Sequence, residues 1–302
     1  MGADFTDESC AAVGLRPQLV RPSCAKNMMR RSPSHDSLGN KIPSALDHVH
    51  EIAIRGRQLA VFLDYDGTLT PIVNRPEEAV LADSMRQAVR TLANRVPVAI
   101  LSGRDLEDIR RRVDIDGIVY AGSHGFDIAG PRGLHKQMAT EFLSILDAAE
   151  KQLHERLAGV SGALLERKRF SIAAHYRNVD DSDVFKVEQA VNEAAAHCRE
   201  LRVTVGKKVY ELQPNIDWDK GKALIWLLDT LGLNQSKALS LYIGDDLTDE
   251  NAFRALRQLG ISIVVSEQPR SSAAHYALKS PAEVERFLHE LTTRAEKCEI
   301  YR

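Results

Sequence analysis

Cysteine is scarce. Cys10, Cys24, Cys198 and Cys298 are the four in 302 residues, with no C-x-x-C pair and no histidine at zinc-ligand spacing. This excludes a disulfide scaffold and a structural zinc module, and such sparse thiols fit a reduced, cytoplasmic protein. A dominant charge sign is also lacking. Forty Lys and Arg stand against 42 Asp and Glu, a net charge of −2. No basic field recommends nucleic acid or an anionic membrane as partner. Long apolar runs are missing too. Stretches such as Leu59–Leu63 and Val96–Leu101 are far short of the roughly 20 residues that span a bilayer.

What is present is ordinary for a globular chain: 44% hydrophobic and 27% charged residues, in a length that favours two domains. Residues 1–50 read differently from the rest. They hold Pro17, Pro22, Pro33 and Pro43 and keep no helical or strand period. No apolar signal-peptide run is present, and Asp4, Asp7 and Glu8 argue against a transit peptide. The expectation is a mobile extension, ordered only near Ala45–Ile54.

From Gln58 short β-rich runs alternate with helical stretches. Leu59–Leu63 is continuously apolar, as for a strand covered on both faces. A helix over Ser84–Arg95 capped by Asp83, a strand Val96–Leu101, a helix Leu106–Val113 and a strand Gly117–Ala121 follow. That order predicts a doubly wound, Rossmann-like parallel sheet of the α/β class. The alternation then breaks. A helix Lys136–Leu157, strands Leu164–Lys168 and Phe170–Tyr176, a helix Ser182–Cys198 and a hairpin Leu201–Leu212 turning at Gly206-Lys207 describe a small antiparallel α+β unit. The βα pattern resumes after Pro214. The expected division is a core of residues 51–129 and 214–302, interrupted by an inserted unit over 130–213.

Asp64-Tyr65-Asp66-Gly67-Thr68 stands at the carboxyl end of the first strand, the edge where open α/β sheets bind ligands. A chance D-x-D-G-T in a chain this long is about one in five hundred. Ser102-Gly103-Arg104 follows the second strand and offers a hydroxyl and backbone N–H groups near a helix start, where phosphate is held. Asp219-Lys220-Gly221-Lys222 opens a helix after the inserted unit, and Gly244-Asp245-Asp246-Leu247-Thr248-Asp249-Glu250 follows a later strand. Each of the last three is weak alone. In this order, after successive strands, they are specific.

The order resembles the four motifs of the haloacid dehalogenase superfamily of phosphatases. That resemblance implies Asp64 as nucleophile, forming an aspartyl phosphate, and Asp66 as acid/base in both half-reactions. The chemistry agrees, since an ionised carboxylate divides a hard hydrolysis into two transfers. Lys220 and Ser102, with Gly103 and Arg104, are the expected phosphate-binding groups. A magnesium ion is expected on Asp64, the Asp66 carbonyl and Asp245, with Asp246 and Asp249 orienting its waters or Lys220.

The inserted unit resembles a superfamily cap domain, and here the match narrows. Gly122-Ser123-His124-Gly125, Glu166-x-Lys168, His175-Tyr176-Arg177, Val209-Tyr210-Glu211-Leu212-Gln213-Pro214 and Trp218-Asp219-Lys220-Gly221 resemble the trehalose-6-phosphate phosphatase family over residues 55–290 or so. The likeness implies a phosphorylated disaccharide as partner and hydrolysis of trehalose 6-phosphate as the last step of trehalose biosynthesis. Glu166, Lys168 and Glu211 would read the distal glucose, with Gly122 and His124 near the phosphate. Glu166 and Lys168, two apart on a strand, share a face, and acid–base–acid side chains suit sugar hydroxyls. Two other readings stay open: a capped phosphatase for another sugar phosphate, and a non-catalytic sensor of the same fold. The motif acids and Lys220, all present, count against the second.

Overall fold

The computed structural model describes residues 42–55, 58–234 and 238–300, with the backbone only at 55, 58 and 295–300. Most of the expected extension, with Cys10 and Cys24, lies outside them. Of the remaining thiols, Cys198 is free and half-buried.

The elements run α1 (Ala45–Arg55), β1 (Gln58–Leu63), α2 (Asp83–Ala93), β2 (Val98–Leu101), α3 (Leu106–Val113), β3 (Val119–Gly122), β4 (Asp127–Ala129) and β5 (His135–Gln137). There follow α4 (Leu143–Leu157), β6 (Leu164–Lys168), β7 (Ser171–His175), α5 (Val184–His197), β8 (Leu201–Gly206) and β9 (Val209–Pro214). The chain closes with α6 (Lys220–Thr230), β10 (Ala238–Gly244), α7 (Asp249–Leu256), β11 (Gly260–Val265), β12 (Tyr276–Leu278) and α8 (Pro281–Ile300). None of the helices among the described residues is long and apolar enough to cross a membrane.

Eight strands form one sheet in the order β12-β11-β10-β1-β2-β3-β4-β5. It is parallel from β12 to β3 and antiparallel beyond. The continuous apolar runs exist because both faces are covered. Along β1, Leu59, Val61 and Leu63 meet α1, α2, α3 and α8, while Ala60 and Phe62 meet α6 and α7. Each fully buried side chain of this size contributes roughly 1.5–3 kcal/mol. The chain leaves β1 for β2 on one side and reaches β10 on the other, so β1 sits at a topological switch point.

The second sheet, β6-β7-β9-β8, is antiparallel throughout. Period-two alternation divides its faces. Ile172, Ala174 and Leu212 pack with Leu146, Ala149 and Leu153 of α4 and with Val187, Ala190 and Val191 of α5. Glu166, Lys168, Ser171, His175 and Glu211 occupy the opposite face. This is the expected α+β cap inserted in a Rossmann-like core.

Several boundaries need correction. Ala45, Val49 and Ile52 of α1 are buried in the core, so residues 45–50 belong to it and not to the extension of 1–50. The boundary at 130 falls inside the β4–β5 hairpin, and the large sheet runs on to Gln137. Lys136 is thus in a strand, and the helix expected from that residue begins at Leu143. Asp83 is the first residue of α2, and Ala82 precedes it as the cap position. The cap hairpin turns at Lys207-Lys208, because Gly206 still pairs with Val209.

Candidate active site

Asp64 and Asp245 are neighbours because β1 and β10 run parallel in register, Leu63 beside Ile243. The Asp64 N–H donates to the Ile243 carbonyl at 2.9 Å. The chain then turns tightly, Leu69 and Thr70 both donating to the Tyr65 carbonyl. Gly67 holds φ +82°, and a Cβ there would overlap the Asp245 carboxylate. Glycine is required twice over, for the left-handed backbone and for the close approach. A Cβ at Gly244 would likewise overlap Asp249.

Lys220, at the start of α6, is buried between two acids, donating to Asp64 Oδ1 and Asp249 Oδ1 at 2.7 Å each. Asp249 is saturated: Tyr242 donates its hydroxyl to Oδ1 at 2.7 Å, and the N–H groups of Asp245 and Asp246 donate to Oδ2 at 3.0 and 2.9 Å. Burial would raise the Asp249 carboxyl, but Lys220 and these donors hold it below the usual range. Burial would lower the Lys220 ammonium, yet Asp249 and Asp64 carry it well above its ordinary value. Asp64 goes the other way. Burial raises its carboxyl well above the usual range, and repulsion from Asp249 and Asp245 works against the relief from Lys220. Burial likewise pushes Asp245 up to about 6 against relief from Lys207.

That imbalance bears on the expected metal. Asp64, Asp245 and Asp249 each bring a carboxylate oxygen within 4.8 Å of the others. Hard oxygen donors, buried and short of countercharge, fit a divalent cation such as magnesium. The oxygens of Asp249 are taken by protein donors, which leaves Asp64 and Asp245 as the better carboxylate ligands. Asp246 lines the same cavity.

Asp66 also lines it, held by Arg104 in a two-pronged pair: Nε to Oδ2 and Nη2 to Oδ1, 2.7 Å each. Arg104 further donates to Asp108 Oδ2 at 3.1 Å and to the Pro76 carbonyl at 2.8 Å. The guanidinium expected at the phosphate thus lies on Asp66, Asp108 and the Pro76 carbonyl, and Arg104 lines the same cavity. Ser102 is buried and its Oγ accepts the Arg104 N–H at 3.2 Å, while Gly103 lines the cavity with His124 close above it. Gly122 is not brought to the cavity. It backs onto α3, where a Cβ would overlap the Leu106 backbone, so the close packing there requires glycine.

The cap wall opposite is built around Glu211. Its Oε1 accepts from Lys168 Nζ at 3.0 Å and Ser171 Oγ at 2.6 Å, and His124 Nε2 of the core lies 3.3 Å from Oε2. Burial would raise this carboxyl, but Lys168, His124 and Ser171 hold it well below the usual range. Glu166 stands apart, 2.8 Å from His175 Nε2, yet faces the same cavity. The cavity measures about 240 Å³ and runs from Asp64, Asp245 and Lys220 to Glu166, Lys168 and Glu211.

Comparison with known proteins agrees with this geometry. The trehalose-phosphatase family profile matches residues 62–282. A probable trehalose-phosphate phosphatase D of Arabidopsis thaliana is 44% identical over 264 residues, covering 82% of this chain and 72% of that protein. This chain belongs to the trehalose-phosphatase family. An uncharacterized glycosyl hydrolase of Mycobacterium tuberculosis is 47% identical over 268 residues, which is 85% of this chain. The chain spans only 20% of that longer protein. The solved C-terminal domain of a C. albicans trehalose-6-phosphate phosphatase shares the fold, with TM-score 0.72 at 21% identity, over 84% of this chain and 99% of that one.

In this member of the trehalose-phosphatase family, four site residues escaped the sequence reading. Tyr242 fixes Asp249, and its signal was a lone phenol in an apolar strand. Ser171 fixes Glu211. Asp105 joins core to cap, accepting from Ser123 Oγ at 2.8 Å and from the Arg169 N–H at 2.9 Å. Lys207 reaches Asp245 Oδ2 at 2.9 Å from the cap. No local pattern marks the last three, because tertiary approach alone gives them partners.

Proposed function

We propose that this protein hydrolyses trehalose 6-phosphate to trehalose and inorganic phosphate with a magnesium ion, in a reducing, cytoplasmic setting. The observation that carries the reading is the pairing, across one cavity, of a buried Asp64–Lys220 couple with the Lys168–Glu211–Ser171 wall. The first suits phosphoryl transfer and the second suits sugar hydroxyls.

Asp64 attacks the phosphorus, forming an acyl phosphate as the bond to the sugar oxygen breaks. Asp66 gives that oxygen its proton once its two-pronged pair with Arg104 opens, because a carboxylate held through both oxygens carries no proton to give. It then takes a proton from the water that attacks the acyl phosphate, which releases phosphate and regenerates Asp64. Lys220 holds Asp64 in line, and Asp249, itself held by the Tyr242 hydroxyl, fixes Lys220 in turn. Ser102 and the Gly103 backbone border the phosphoryl position. Asp64 and Asp245 would hold the cation, which would supply the positive charge that lets two anions meet. Glu211, Lys168 and Glu166 bind the distal glucose, and the cap excludes water from the reaction.

The test is phosphate release from trehalose 6-phosphate, sucrose 6-phosphate and glucose 6-phosphate, with and without chelator. Trehalose 6-phosphate should be turned over fastest, and chelator should stop the reaction. Equal turnover of all three, or activity unaffected by chelator, would overturn the reading.

A further inference from the structure

Asp245 is the acid of the cluster that the core leaves without a cation. Lys220 serves Asp64 and Asp249, and Arg270 of the core donates to the Asp245 carbonyl, not to its carboxylate. Among the described residues the one donor to that carboxylate is Lys207, at 2.9 Å. Lys207 belongs to the cap, 38 residues earlier in the chain, and sits at the tip of the β8–β9 hairpin.

The tip is braced. Lys208 takes φ +63°, its carbonyl accepts the Tyr176 N–H at 3.0 Å, and its ammonium lies over the Tyr176 ring at 5.7 Å. Arg177 donates to the Lys207 carbonyl at 3.3 Å. A turn held by Tyr176 and Arg177 carries this lysine, whose half-exposed side chain ends on a buried carboxylate. Cap and core meet elsewhere through Arg169 with Asp105 and through Glu211 with His124. Lys207 alone among the described cap residues ends on the acidic cluster.

We propose that Lys207 is an electrostatic latch of the cap, closing the unloaded cleft by occupying the Asp245 carboxylate and yielding it when a divalent cation binds. This rests on the cation reading given above for Asp64 and Asp245. An ammonium and a divalent cation repel each other at one carboxylate, so the two partners compete. Coupling is reciprocal: whatever factor the latch takes from cation affinity, the cation takes from cap closure. Loading the metal therefore frees the cap to admit substrate.

The test uses the full chain, as wild type, Lys207→Met and Lys207→Arg, with magnesium binding followed by calorimetry and cap–core separation by small-angle scattering. Lys207→Met should bind magnesium on the order of tenfold more tightly and be more open without cation. Lys207→Arg, which keeps the charge, should resemble wild type in both. Unchanged or weaker magnesium binding by Lys207→Met, or unchanged scattering of the cation-free protein, overturns the latch alone. A wild type that binds no magnesium overturns the cation reading together with the latch.

Discussion

Single side chains in this site are defined by how fully their neighbours use them. Asp249 spends both oxygens on Lys220, Tyr242 and two backbone N–H groups, whereas Asp64, among the described residues, receives Lys220 alone. The proposed mechanism makes Asp64 the acid that reacts. Asp64→Asn should abolish turnover, by at least about 10³-fold in kcat, because an amide cannot form the acyl phosphate. Phosphate release shows it directly, and retained activity would remove the covalent route. Glu211 makes a second prediction. Its carboxyl titrates well below the 4.5 of a free glutamate, so the folded state releases its proton more readily than the unfolded chain. The associated stability is complete above that value and is lost as pH falls through the lower folded value. Glu211→Gln should cost roughly 1–3 kcal/mol at neutral pH by weakening bonds to a buried ammonium. Denaturant titrations of the two proteins should converge in acid. A gap that stays constant with pH would detach the stability from this charge.

At the scale of elements, the cap's cleft face is held in place by the helices behind its sheet. Leu153 of α4 is fully buried among Ile172, Val191 and Leu212, one residue after Glu211. Leu153→Ala should lower stability by roughly 2–5 kcal/mol. If cap and core unfold together, urea midpoints by tryptophan fluorescence and circular dichroism fall equally. The sequence was most legible where this layering is strict. β1 and β2 are covered on both faces and so read as unbroken apolar runs, and α3 ended where its pattern ended. β5 is His135-Lys136-Gln137 at a sheet edge, with no apolar signature, and a helix was read through it. β12 is three residues long and takes its identity from β11 beside it. The site divides in the same way. Acids inside short motifs at strand ends were readable, because a parallel sheet must bring those ends together. Gly122 and Arg104 were placed by their position in a motif, and only the fold reveals that one packs against α3 and the other against Asp66.

For the molecule as a whole, a net charge of −2 conceals a strongly uneven distribution. The core gathers Asp64, Asp245 and Asp249 around Lys220, and the cap contributes Lys207. In the absence of a cation such crowding costs stability. Asp245 is pushed to about 6 from the 3.8 of a free aspartate, so the folded chain binds a proton more tightly there than the unfolded chain does. Protonation therefore favours folding between those two values, and the advantage disappears as pH rises through 6. The difference corresponds to on the order of 3 kcal/mol. The cation-free protein should melt several degrees lower at pH 7.5 than at pH 5 through this group. On the proposed reading magnesium binds the ionised cluster and not the unfolded chain, so it should raise the melting temperature more at pH 7.5 than at pH 5. At a hundred times the dissociation constant the gain is about 2.7 kcal/mol. Thermal scans at the two pH values, with magnesium or with chelator, measure both slopes, and Asp245→Asn should flatten the pH response of the cation-free form. If magnesium shifted the melting temperature equally at both pH values, its binding would not depend on these carboxylates being ionised, and the cluster would have to be read as structural.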